Sequence, residues 1–316
     1  MHTALLELTS PVIPDARTVM RRAGSENFPV AARVLAREDR RHLLAVYGFA
    51  RLTDELGDEL SGDRLAALDW LEEEVQRAYS GQARHPLLRA LQATIAECEL
   101  PRGPLLRLIE ANRVDQRVTR YETWRQLRAY CELSANPVGE LVLHAFGLAD
   151  HERIALSDSV CTALQLVEHL QDVREDMERG RVYLPAEDLA RFDCSREDFE
   201  SLLAAQDKEA GGGELHGVHG NGVRARGRFE RLRGVVEFEC ARARDLLRAG
   251  EPLVASVPGR PKLALAAFVS GGHAALQAIE RRHFDVLDAP PRASRARRAR
   301  SLMRVLARSR RVERHA

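Results

Sequence analysis

The chain has 316 residues, enough for one large domain or two small ones and for a substantial core. Hydrophobic residues make up 45% and the net charge is +1, which points to a globular chain with no global pull toward nucleic acid or an anionic membrane. The five cysteines include no C-x-x-C pair, which argues against a disulfide framework or a zinc site and makes a reducing cytosol the expected compartment.

The first fifteen residues lack a basic stretch followed by a long apolar run, so no signal peptide is expected, and no run of about 18 apolar residues stands out as a bilayer span. Residues 30–59 contain no proline and read as helix up to the break at Ser61-Gly62-Asp63. Helices are expected next over 63–79, 85–100, 104–121 and 123–147, the last with a kink or break at Pro137. A further helix covers 152–180 and stops at Gly180, and a short extended piece over 181–185 turns at Pro185 into a small helix. Residues 207–227 are rich in glycine without apolar periodicity and read as a mobile insertion. Helix returns at 228–250 and 260–287, followed by an arginine-rich tail over 291–316. Strand signals are almost absent, so the expected fold is an all-α bundle with residues 1–290 as one domain.

Two acidic motifs share one spacing. DELGDE places Asp54 four residues before Asp58, and DVRED places Asp172 four residues before Asp176. On an α-helix such pairs lie on one face and repel, at roughly 0.2–0.5 kcal/mol per pair, so a cation is expected between them. Two carboxylate pairs facing each other would hold Mg²⁺ shared with substrate phosphates. Tyr47, Arg51, Asp54 and Asp58 step along one face, and so do Gln165, Glu168 or His169, Asp172 and Asp176. The bland alternatives are an intrahelical Arg51–Asp54 salt bridge and a solvated helix end. Arg179, Arg181 and Tyr183 follow the second motif, and arginine forks with a phenol suit a diphosphate.

The stretches SENFPVAARVL (25–35), AVYGFARLTDELGDE (45–59), YCELSANPVGELVLHAFG (130–147), QLVEHLQDVREDMERGRVYLP (165–185) and FVSGGHAALQAIERRHFDVL (268–287) resemble the squalene and phytoene synthase family of trans-isoprenyl diphosphate condensing enzymes. ENFPVA and GRVYLP point within it to the bacterial hydroxysqualene synthase branch of the hopanoid pathway. The resemblance implies a single-domain isoprenoid synthase bundle around a deep apolar cavity, with the two acidic motifs on facing helices at its mouth. It implies Asp54, Asp58, Asp172 and Asp176 as Mg²⁺ carboxylates, and Arg51, Gln165, Arg181 and Tyr183 as contacts to diphosphate or its metal. Ser25 and Asn27 fall in a segment lying over the diphosphate, and Asn136, Pro137 and Gly139 form a helix break lining the cavity.

One position departs from the family. Glu168 stands where asparagine is usual, and its carboxylate would change metal number, raise a neighbour's pKa or point away. The expected reaction ionises presqualene diphosphate and captures the rearranged cation with water as hydroxysqualene. No NAD(P)H site is evident, which fits water rather than hydride as the quench. The alternatives are head-to-head condensation of two farnesyl diphosphates to presqualene diphosphate, squalene or dehydrosqualene, and a non-catalytic isoprenoid-binding protein. The tail is expected to be a solvated, frayed end, with peripheral contact to an anionic membrane as its alternative.

Overall fold

The computed structural model describes residues 13–21, 35–210, 219–288 and 290–313. The described residues form helices and no strands; one isolated parallel bridge joins Arg120 to Val182. The first half contains α1 (Ala16–Arg21), α2 (Arg37–Asp54), a π-helical turn (Glu55–Glu59), α3 (Arg64–Tyr79), α4 (Pro86–Cys98), α5 (Arg102–Asp115), α6 (Trp124–Ser134) and α7 (Asn136–Ala145). The second contains α8 (His151–Gln171), α9 (Val173–Glu178), α10 (Ala186–Arg191), α11 (Arg196–Ala210), α12 (His219–Gly250), α13 (Pro252–Ser256), α14 (Gly259–Arg281) and α15 (Arg295–Glu313).

Local chemistry sets several boundaries. The Asp63 carboxylate accepts the Ala66 amide at the start of α3, Thr123 accepts Gln126 N–H at α6, and Asp150 accepts Arg153 N–H at α8. Pro86 opens α4 where its missing N–H costs nothing. The apolar faces pack into two clusters, one around Phe49, Leu71 and Leu91 from α2 to α4, the other around Leu166, Val236 and Leu265 from α8, α12 and α14. Val138 on α7 touches both. A cavity runs between them.

Several expected helix bounds shift. The helix expected over 30–59 is α-helical only to Asp54; a π-turn follows, closed by the Leu60 amide donating to Glu55 O at 3.0 Å. The helix expected over 152–180 breaks at Asp172, whose φ of −108° and ψ of 14° leave the helical region. The break expected near Pro137 within 123–147 is present and falls at Ala135, so that Pro137 sits in the first turn of α7, where proline is tolerated.

The glycine-rich stretch is helical to Ala210 and again from His219, and residues 211–218 between them lie outside the described residues. The C-terminal segment is not frayed: α15 buries Ser301, Val305 and Ser309, spaced by four, against α13 and α14. Contrary to the expectation of no span, α14 has the length and composition to cross a bilayer. Here it is a core helix, with Ala264, Val269, Leu276 and Ile279 buried against its neighbours.

Candidate active site

The cavity, of about 490 Å³, reaches from a charged mouth to an apolar interior. Asp54 on α2, Asp58 in the π-turn, Gln165 and Glu168 on α8, Asp172 at the break and Asp176 on α9 line the mouth, with Arg179 and Arg181 beside them. Leu108, Val142, Val160, Leu164, Leu265 and Phe268 line the interior. The two acidic motifs therefore face one space from opposite walls, although 118 residues separate Asp54 from Asp172 in the sequence.

The π-turn has an identifiable cause. Gln116, capping the C-terminal end of α5, donates its amide to Gly57 O at 2.9 Å, holding that carbonyl out of the α pattern. Gly57 packs so closely on α5 that a Cβ there would stand 1.9 Å from Asn112 Oδ1. A π-turn keeps residues i and i+4 nearly eclipsed, so Asp58 stays under Asp54 and reaches Arg181, whose Nη1 donates to its Oδ1 at 2.8 Å. This ion pair ties the first motif to the segment following the second.

Asp54 is exposed at the cavity mouth, within a rim of protein that takes the place of part of its hydration. That desolvation, with smaller repulsion from Asp58 and Glu168, raises its pKa to about 7, against the pull of Arg51 and a hydrogen bond from Asn112. Asp176 is likewise pushed up to about 7, first by burial, then by Asp172 and, more weakly, by Glu168. Burial and Glu175 raise Asp172, while Arg292 and Arg179 oppose the rise. The three outcomes open for Glu168 narrow accordingly: it lines the mouth and adds repulsion to one aspartate of each motif.

Tyr47 and Gly139 line the cavity, but Asn136 and Pro137 do not. Asn136 turns back into the protein, where its Oδ1 accepts from Thr162 Oγ1 at 3.0 Å, so the pair form the break behind the wall instead of the wall itself. Arg51 is also absent from the lining; it sits 3.5 Å from Glu55, one turn along, and acts on Asp54 through its charge. The bland Arg51–Asp54 bridge is therefore replaced by an Arg51–Glu55 pair. Tyr183 is in place, but its hydroxyl donates to Asp115 Oδ1 at 3.2 Å. Ser25 and Asn27 lie outside the described residues.

Sequence reasoning missed Asp115. This buried carboxylate also accepts from Tyr130 at 2.6 Å, and burial raises its pKa to about 6. His169 stacks on Tyr183 at 3.9 Å between centroids, and burial pushes its pKa down to about 3, so the ring is neutral. Asn112 and Asp115 stand three apart on the buried side of α5 among Leu105, Leu108, Ile109 and Ala111, with Gln116 just past its end, a spacing that could have found the first two.

The donor set fits a hard divalent cation: carboxylate oxygens from both motifs, held with raised pKa values that a nearby cation would relieve. No three of these acids converge as one tight cluster; among the described residues only Glu38, His42 and Glu97 bring three donor atoms within 4.8 Å of one another. That group lies elsewhere, on α2 and α4, and the Arg41 guanidinium already pairs with Glu97 there. The mouth therefore suits cations bridged by a ligand with its own oxygens.

A helical bundle enclosing an apolar cavity with two facing acidic motifs defines an isoprenoid-synthase-type fold. The family model described as squalene/phytoene synthase matches residues 21–211 and 214–300, and the chain belongs to that family. It is 35% identical over 187 residues to the hydroxysqualene synthase of Zymomonas mobilis, covering 54% of this chain and 61% of that protein. It is 33% identical to chloroplastic phytoene synthase 1 of Zea mays, covering 55% of this chain and 44% of that protein. The match thus spans less than two thirds of these curated relatives. The crystal structure of a squalene synthase from Alicyclobacillus acidocaldarius superposes with a TM-score of 0.73 at 43% identity, covering 85% of this chain and 93% of that one.

Proposed function

We propose that this chain is a Mg²⁺-dependent hydroxysqualene synthase, acting on presqualene diphosphate and releasing diphosphate. The observation that carries the reading is one cavity joining a carboxylate-and-arginine mouth to an apolar interior. Asp54, Asp58, Asp172 and Asp176 would hold Mg²⁺, which when bound neutralises charge on the diphosphate. Arg179 and Arg181 direct guanidinium donors to the same oxygens, preorganised by the Arg181–Asp58 ion pair. The C–O bond breaks with its electron pair leaving on the diphosphate. The resulting cyclopropylcarbinyl cation rearranges among Leu164, Val160 and Phe268, whose side chains exclude bulk water. One water then adds its oxygen to the cation and loses a proton, giving the alcohol.

The similarity to a hydroxysqualene synthase and to a squalene synthase supports the substrate class, and similarity to a phytoene synthase keeps farnesyl diphosphate condensation as the second reading. Incubation with presqualene diphosphate or farnesyl diphosphate plus Mg²⁺, followed by mass analysis, separates them. Hydroxysqualene from presqualene diphosphate alone is the expected result; consumption of farnesyl diphosphate only would refute it. A chain without turnover would release no diphosphate from either substrate, and loss of release in Asp54→Ala would exclude that case.

A further inference from the structure

The charge of this chain is unevenly distributed. Residues 290–316 carry ten arginines against one glutamate, so residues 1–289 are net −8 in a chain whose total is +1. Most of that positive charge sits on α15. Its buried stripe, Ser301–Val305–Ser309, faces the bundle, which turns Arg300, Met303, Arg304, Ala307 and Arg311 outward at steps of three and four. Arg300, Arg304 and Arg311 have no carboxylate partner among the described residues. Alternation of arginines with Met303 and Ala307 gives this face positive charge with apolar content.

A second observation falls on the same layer. Three large apolar residues are exposed among the described residues: Leu65, Leu263 and Met303. Met303 lies in the arginine stripe and is 65% exposed. Leu263, 39% exposed, lies on α14, the helix against which α15 packs. Its neighbour Lys262 is close enough to Arg310 for their charges to repel. A face that enters a lipid headgroup region gains both from its arginines and from an exposed methionine among them.

The placement relative to the cavity is also specific. The segment leading into α15 packs on the rim of the mouth: Gln171 donates to Pro291 O, and Arg174 Nη1 donates to Leu287 O at 3.2 Å. On the inner side, Leu265, Phe268 and Val269 of α14 line the cavity, so α15 is the layer outside the cavity wall.

We propose that the outward face of α15 docks this protein on an anionic phospholipid bilayer, its arginines meeting lipid phosphates and Met303 entering the boundary between headgroups and acyl chains. The charge asymmetry selects the partner and the orientation, since the remaining surface, being net negative, is repelled by the same membrane. The docking face follows from charge and exposure and stands apart from the proposed reaction.

The test is co-sedimentation of the full chain with phosphatidylcholine vesicles, with and without one-third phosphatidylglycerol. Binding is expected only with phosphatidylglycerol and should weaken as salt shortens the screening length. Each arginine near such a surface contributes roughly fivefold in partitioning, so Arg300→Gln/Arg304→Gln/Arg311→Gln should weaken it on the order of 100-fold. Met303→Ala should weaken it a few-fold. The same number of charges removed on another face, in Arg117→Gln/Arg120→Gln/Arg128→Gln, should leave binding unchanged. Circular dichroism and diphosphate release in vesicle-free buffer should be unaffected in all variants. Equal binding to both vesicles, no binding, or equal weakening by the two triple variants would each overturn the proposal. So would duplex DNA binding tighter than the vesicles with the same sensitivity to the α15 arginines, since the partner would then be a nucleic acid.

Discussion

Gly57→Ala should be destabilising where helix propensity alone predicts the reverse. In an open helical position, replacing glycine by alanine stabilises by up to about 1 kcal/mol. Here the added methyl would meet Asn112 Oδ1 at 1.9 Å and Cγ at 2.7 Å. Neither atom can move freely, because Asn112 is buried, donates to Leu108 O at 3.2 Å and also bonds Asp54. Overpacking of this kind costs about 1–3 kcal/mol, which outweighs the propensity gain and, at about 2 °C per kcal/mol for a chain of this size, predicts a melting point lower by a few degrees. Relief by straightening the turn would release Gly57 O from Gln116 and draw Asp58 away from Arg181, so diphosphate release should fall by roughly 100-fold, the usual result of an ångström-scale misplacement. Asn112→Ala removes the two closest clashing atoms and leaves its Cβ at 3.0 Å, so the double variant should recover much of the lost stability. Thermal melts of wild type, both single variants and the double variant give the coupling energy. A Gly57→Ala protein as stable as wild type, or a strictly additive cycle, would refute the close-packing account.

Two further predictions follow from the same site. Asp54 is raised from 3.8 to about 7, so the folded, metal-free protein holds a proton that the unfolded chain gives up. Stability should therefore fall as pH rises from about 4 to about 7, and Asp54→Asn should melt higher than wild type near pH 8 and equally near pH 4; a lower melting point near pH 8 would refute the burial argument. Asp115→Ala leaves Tyr130 and Tyr183 hydroxyls without their acceptor and should cost about 2–3 kcal/mol in denaturant unfolding, whereas an unchanged midpoint would show that the two phenols find other partners.

Helix content, the approximate helix spans and the acidic motifs were legible because they rest on local periodicity and on residue type. The π-turn was not, since it depends on Gln116 reaching Gly57 from another helix. The break at Asp172 has no proline or glycine to announce it. Tyr183 was legible as a site residue but not as a partner of Asp115, because 68 residues separate the two in the chain. Arg51 and Asn136 were placed correctly on their helices, yet which way each long or branched side chain turned was decided by neighbours the spacing does not contain.

Sequence by itself determined which residue types could share a face: aspartates at i and i+4, and arginines after the second motif. A regular helix repeats about every 3.6 residues, so such relations can be read without tertiary information, although the π-turn after Asp54 and the break at Asp172 modify both aspartate pairs. Only the tertiary structure decided that the two acidic motifs face one cavity, that Glu168 enters it, and that Arg181 closes across to Asp58. Those relations depend on how distant helices pack and on the cost of burying each charge, and both are properties of the assembled core.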